Sequence, residues 1–524
     1  MAGGRRGRPY QVPEDNTSLR APTVDVNARV GWLLLMSRLH SADEELASGE
    51  VFNHRLAAVG LRADRSAVSR WESGKVTPRY SVLQAYEQAL SLRPGQLTST
   101  VNALRRAFGG ENLPAWTPVF DPSSTDFHAS LDALFDRLLS DRPGVGSDWT
   151  SLAHHIAATD VMYVHGQVWR NLTAKLIDEM TRGVGIAYLQ RFEAVRLLLD
   201  HSRAQPWLLH ATGDFLADPA VQVINDPMGV LEVCRAPEAA RVVLDQFVTT
   251  RSWPVVLASL GAVGIKLDEG AYSDEQIDLI ERTALARIEE AEGTAAGFEE
   301  LVVSMPEPAR SRMLKAAQGL VGHEELAQAA AHGERFSPDT TRRVSQRIAD
   351  KVRALLPAGT LYDDDRLTPR LIREALFAAR SNHMHYAAIA LVGSQLRSGL
   401  ATVLADEIDH GGLDDPMSPR YAHLLRYVVE TPQEEAVLRW LQDASAEMAR
   451  DFAIAIGHLP SDRSLDELLP LIDREGSPME RRLLYALGMR QSPLLDKIRD
   501  DESRPVAVRD AARWWIRQGG HLLT

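Results

Sequence analysis

The sequence predicts an all-α protein, with a five-helix N-terminal unit followed by a much larger helical region. Three observations predict it. Apolar residues recur at helical spacing, as in Val195, Leu198 and Leu199, or Leu424, Leu425, Val428 and Val429. Breaks with Pro, Gly or Asp recur at about helix length, as at Gln205-Pro206, Asp218-Pro219 and Asp226-Pro227. Alternating strand patterns are absent.

Composition bounds the function. A chain of 524 residues is too long for one core and carries the mass of about three to four domains. Its 45% hydrophobic and 25% charged content is that of a soluble globular protein. The net charge is −13, from 58 Lys+Arg against 71 Asp+Glu. The first 110 residues hold 15 basic and 10 acidic side chains, a balance of +5, which leaves −18 for the rest. A basic head on an acidic body points the head at DNA. The one cysteine, Cys234, rules out an internal disulfide and is expected as a small core residue. No signal-peptide core and no run of about 18 apolar residues occur, so no membrane partner is expected and the cytoplasm is the expected compartment.

The elements follow in order. Residues 1–25 read as a disordered basic arm, and Tyr10–Asp25 is long enough to carry its tip to a groove. Its core, Arg6-Gly7-Arg8-Pro9, is similar to an AT-hook, in which glycine lets the backbone lie deep in a narrow minor groove and Arg6 and Arg8 follow its negative potential. The same residues also fit a basic tail that binds phosphate without preference. Asn27–His40 is an apolar-periodic first helix. The acidic stretch Ser41–Glu50 connects it to a second helix at Val51–Val59.

Asp64–Arg79, DRSAVSRWESGKVTPR, is the most informative stretch. Asp64 is a good N-cap. Val68 and Trp71, three apart, share a face that can pack. Arg65, Ser66, Ser69 and Arg70 lie off that face and are donors of the kind a major groove accepts. Gly74 suits the left-handed turn after the helix. Thr77 is expected to cap the next helix with Pro78 at its first position. Arg79–Ser91 and Leu97–Phe108 complete five helices.

SAVSRWESGKVTP resembles the recognition helix and following turn of the lambda-repressor-like (XRE) helix-turn-helix domains, and the resemblance covers residues 26–108. It implies a bacterial DNA-binding regulator whose partner is double-stranded DNA. It carries base contacts onto Arg65, Ser66, Ser69 and Arg70, and phosphate contacts onto Lys75, Thr77 and Arg79. Arg62 is placed to reach a phosphate as well. Two departures stand out: Ser41–Glu50 is longer than the family's usual connection, and LAAVGLRAD approaches the recognition helix with about one extra residue. Such modules usually work in pairs, because two half-sites multiply affinity, so a homodimer is expected.

Residues 109–125 read as a linker rich in Gly, Pro and Ser, with Trp116 and Phe120 able to dock on a neighbouring surface. A helical domain is expected over 126–355 and a second over 356–524. The end of the second, DESRPVAVRDAARWWIRQGG, resembles the latter half of a HEAT-type repeat, with SPMERRLLYALGMRQSPLLDKIRD as its partner. Pro237–Leu267 and Ala422–Leu459 are similar but degenerate. An irregular all-α domain is the alternative to a solenoid.

Motifs for chemistry are poor. There is no Walker-type loop, dinucleotide fingerprint, CxxC or HExxH. His383-Met384-His385 and His154-His155 do not place two imidazoles on one helix face, so no metal site is expected. Asp363-Asp364-Asp365 suits the dipole of a helix starting near Thr368. Ser259–Gly264 is expected at a helix end. No enzyme activity and no cofactor are expected. Two functions remain: a sequence-specific transcription regulator whose body dimerises, senses a small-molecule ligand or contacts a protein, or a DNA-tethered scaffold associated with the nucleoid.

Overall fold

The computed structural model describes residues 12–109, 118–159, 164–218, 220–250, 252–290, 297–356, 365–472 and 480–524. The chain is all-α: among the described residues there are 28 α-helices and no strand, only two isolated bridges. No single helix among them is long and apolar enough to cross a membrane. The bent pair Ser381–Gly393 and Arg397–Gly411, apolar enough by composition, packs into the core.

The first five helices are α1 (Val26–Leu39), α2 (Gly49–Ala58), α3 (Arg65–Glu72), α4 (Tyr80–Ala89) and α5 (Gln96–Phe108). α1 is buried at every position but Asn27, so its charged residues must be paired inside. Arg29 sits between Asp15 and Glu374, with ion pairs of 2.8 and 2.7 Å and all three side chains inaccessible. Burial alone would raise both carboxyls, but Arg29 outweighs it and holds them below their ordinary values. Trp32 Nε1 donates to Thr368 Oγ1 at 3.0 Å. α5 packs against the helices Ile186–Leu199 and Ser381–Gly393. Arg106 donates to both oxygens of Glu193, at 2.8 and 2.9 Å.

Three hydrophobic cores organise the chain. One joins the N-terminal helices to the C-terminal third, uniting Trp32, Leu83 and Val101 with Leu371, Leu404 and Trp515. A second gathers residues from Met228 to Ala330, around Phe247, Ile280 and Phe298. A third gathers Phe127 to Ala239, around Trp149 and Leu198. These cores do not part at a single point in the chain: they divide near 228–239 and after Ala330. Nor are Val12–Asp25 part of a free arm. Val12 and Leu19 are buried, and the Thr17 and Arg20 carbonyls accept from Arg370 (2.8 Å) and Arg380 (3.0 Å). In the linker, Phe120 docks on Phe127 and His155; Trp116 lies outside the described residues.

Helices pack successively through the C-terminal third: Ser381–Gly393, Ser418–Val428, Ala446–His458, Glu480–Met489 and Val506–Gln518. The segment expected as one partner for the last helix forms two, Glu480–Met489 and Leu494–Asp500, and both pack on it. The chain end then returns to the first half. Val184 N donates to Leu522 O (3.0 Å), Leu522 N donates to Arg182 O (2.8 Å), and Trp514 packs edge-on against Phe215. The helical succession thereby closes on itself. Ser259–Gly264 lies within the helix Trp253–Asp268 rather than at an end, because Gly261 and Gly264 face the side chain of Glu300.

Candidate nucleic-acid interface

Helix α3 begins where Asp64 Oδ1 accepts from the Ala67 amide at 2.6 Å. That bond and the Ser66 hydroxyl hold the Asp64 carboxyl below its ordinary value. The helix ends at Glu72, and Gly74 follows with φ +70°. Lys75 and Val76 amides both donate to the Arg70 carbonyl, satisfying the helix end.

The inner face of α3 is short but firmly held. Val68 is buried, and Trp71, half-buried, meets Tyr86 edge-on at 6.4 Å. Glu72 is the anchor that sequence reasoning missed. Arg38 grips its carboxylate bidentately at 2.6 and 2.7 Å, and the Tyr86 hydroxyl donates to it at 3.3 Å. Arg38 also donates to Ala47 O at 2.7 Å, tying down the acidic connection. α1 crosses the end of α3 backbone to backbone. A Cβ on Gly31 would stand 2.6 Å from the Gly74 nitrogen and 2.9 Å from the Glu72 carbonyl oxygen. A signal for this anchor was present: two arginines in an otherwise apolar α1 require buried acids somewhere.

The outer face carries the expected donors. Arg65, Ser66, Ser69 and Arg70 are all exposed, as are Arg62, Lys75 and Arg79. One face of α3 therefore presents two guanidiniums and two hydroxyls, with further cations at each end. Arg65 is not wholly idle: its guanidinium pairs with Glu50, at the start of α2. The acidic connection forms a 3-10 turn at Glu44–Ala47, buries Leu46 and delivers Glu50 to the mouth of this face.

Thr77 departs from its expected place. It does not cap α4, and Pro78 is not at the first helical position; α4 starts at Tyr80 with Arg79 as N-cap. The Thr77 hydroxyl donates instead to Asn27 Oδ1 at 2.8 Å, stitching the turn to α1. The next helix is capped by another residue sequence reasoning missed. Glu87 Oε1 accepts from the amides of Leu97 and Thr98, and Oε2 from that of Gly95, fixing the start of α5. Arg6 and Arg8 lie outside the described residues.

Other expected features are unremarkable as sites. Cys234 is buried. Among the described residues no group of three His, Cys, Asp or Glu side chains is placed to hold a metal ion. His383 is buried beside Phe108, while His385 meets the Tyr427 hydroxyl at 3.2 Å. Asp365 caps the helix Leu367–Phe377 by accepting from the Leu367 and Thr368 amides; Asp363 and Asp364 lie outside the described residues. Trp149 and Trp169 are core, whereas Trp207 lines a cavity of about 230 Å³ with Arg170, Asp214 and Trp514. No family model matches this chain, and neither does a curated protein or a solved structure.

Proposed function

We propose that this protein is a sequence-specific double-stranded-DNA-binding transcription regulator of the lambda-repressor-like kind. One observation carries the reading: α3 leaves Arg65, Ser66, Ser69 and Arg70 on a single uncovered face while Arg38 and Glu72 lock its opposite side to α1. A major groove admits such a helix, and arginine and serine can bond guanine edges or phosphates there. Lys75, Arg79 and Arg62, at the ends of α3, face the flanking phosphates. The Thr77 hydroxyl is engaged by Asn27, so its phosphate contact runs through the backbone. Arg6 and Arg8 extend the contact into the neighbouring minor groove. The helical region, read as a HEAT-like scaffold, brings two copies together, senses a ligand or contacts a protein.

Because α1 and α5 share a core with the C-terminal third, the head is presented by the body rather than tethered to it. Two heads on a homodimer would then meet two half-sites at one fixed spacing. Footprinting of the full chain on promoter DNA of its own genome, paired with light scattering, tests this. The expected result is protection of a two-fold-related motif by two copies of the protein. Protection that follows AT-richness alone would contradict it and assign the DNA-tethered scaffold instead.

A further inference from the structure

The cavity of about 230 Å³ beside Trp207 lies at the seam where the chain end returns to the first half. Three helices supply its walls: Gly166–Arg182, Gln205–Ala217 and Val506–Gln518. The first two pack against each other. The third is brought to them by the Leu522 bonds to Arg182 and Val184, and by Arg517, which pairs with Asp218 at 3.2 Å. The space exists only where the helical succession closes.

Its floor is aromatic and fixed. Trp514 is buried and meets Phe215 edge-on at 6.0 Å and Trp515 at 4.9 Å. Trp207 is half-buried and fits closely over Gly166, whose added Cβ would stand 3.0 Å from the indole Cζ2. Ala174 and Ala211, also in the lining, are small enough to leave the space open.

The mouth carries both signs of charge. Arg170, His210 and Asp214 are exposed, whereas Trp514 is not, so the charges stand outside the rings. The Arg170 guanidinium lies over the Trp207 ring, 5.7 Å from its centroid, and has no ion pair among the described residues. Among them the Asp214 carboxylate has one partner, the His210 imidazole at 3.3 Å on the same helix. Arg170 and Asp214 line one cavity from two packed helices and do not pair with each other. Asp218, by contrast, is occupied: Arg517 holds Oδ2, and the Ala220 amide donates to Oδ1 at 2.8 Å.

We infer that this cavity binds an apolar α-amino acid of about leucine's size, with its carboxylate on Arg170, its ammonium on Asp214 and its side chain against Trp207, Phe215 and Trp514. Exposed charges alone gain little from pairing in water. The aromatic floor makes the difference, because it buries the ligand's apolar end while both charged ends keep counter-charges. A guanidinium suits a carboxylate bidentately, and an ammonium brings three donors to Asp214. At about 230 Å³ the space equals roughly eight waters of about 30 Å³ each, and falls below the roughly 300–1,000 Å³ of sites for larger organic ligands. A ligand that touches all three helices also ties the seam, so binding slows its opening. The binding stands without DNA; only its use as a signal rests on the regulator reading above.

Calorimetry on the full chain without DNA tests the site. L-leucine is the probe; 4-methylpentanoate lacks its ammonium and 3-methylbutylamine lacks its carboxylate. Saturable leucine binding is expected, with each analogue weaker by about tenfold or more. Asp214→Asn should weaken leucine by a similar factor and leave 4-methylpentanoate unchanged, whereas Arg170→Gln should weaken both. Both side chains are exposed, so the variants keep the fold, which matching unfolding curves verify. No leucine binding, undiminished binding by either variant, or equal affinity for leucine and 4-methylpentanoate overturns the inference. Saturating leucine should slow hydrogen exchange at the Val184 and Leu522 amides about threefold or more. Unchanged exchange there overturns the tie across the seam. DNA selection without leucine binding sinks the amino-acid site alone; leucine binding without DNA selection sinks the regulator alone.

Discussion

Helices α1 and α3 touch each other and are built on opposite plans. α1 is buried along nearly its whole length, carries two arginines inside, and spends both on acids of other segments. α3 fully buries only Val68 and Glu72, half-buries Trp71 against Tyr86, and turns its four polar donors outward. One helix is a fastener and the other a presented face. The difference teaches that the geometry of the face is fixed from behind, by groups that never meet a ligand. Changes in α1 should cost folding and recognition together, whereas changes on the outer face of α3 should cost recognition alone.

The largest effect should follow Arg38→Ala, which strands Glu72 as a buried unpaired charge. A loss of about 3–5 kcal/mol is expected by denaturant unfolding. The double variant Arg38→Met/Glu72→Leu should recover most of it, since removing both partners removes the stranded charge. If the double variant were as unstable as Arg38→Ala, the anchor would lie elsewhere. Gly31→Ala comes next. Its new methyl meets backbone on three sides and has no flexible side chain to displace, so about 1–3 kcal/mol is expected, with weaker DNA binding as α3 shifts.

A comparable effect should appear away from this pair, with pH. Burial pushes the Glu300 carboxyl up to about 8 from 4.5. The folded chain thus holds this proton more tightly than the unfolded chain. The stability it contributes is whole below pH 4.5 and is lost as pH rises through about 8. Thermal unfolding of Glu300→Gln should match the parent near pH 5 and exceed it near pH 8, by on the order of 2 kcal/mol. Equal pH profiles for the two proteins would show that Glu300 is not a desolvated acid. The smallest effect belongs to Glu50→Gln. Both members of its pair with Arg65 are well exposed, so stability should hardly move. DNA affinity should rise about two- to threefold as Arg65 is released, read by fluorescence anisotropy at low salt.

Much of the outer face was legible in the sequence because it is local. Asp64 at one end and Gly74 at the other bound a helix that runs from Arg65 to Glu72. The four outward donors follow from the positions of Val68 and Trp71. The start of α4 was misread because Thr77 has two uses for its hydroxyl, and the tertiary bond to Asn27 prevails over the local cap. Only the length and acidity of the Ser41–Glu50 connection were legible, whereas buried Leu46 makes it a packed turn. The seat of the head on the body was not legible. Arg29 and Glu374 lie 345 residues apart, and no local periodicity announces such a pair.

The central claim is that α3 reads bases. Sequencing of duplexes selected from a random pool by the full chain, and by Arg65→Ala/Arg70→Ala, tests it most directly. The account predicts a two-fold-related motif for the parent and, for the double variant, residual salt-sensitive binding with the motif erased and folding unchanged. The same motif enriched by both proteins, with only affinity reduced, would contradict it and leave α3 as a phosphate-binding surface.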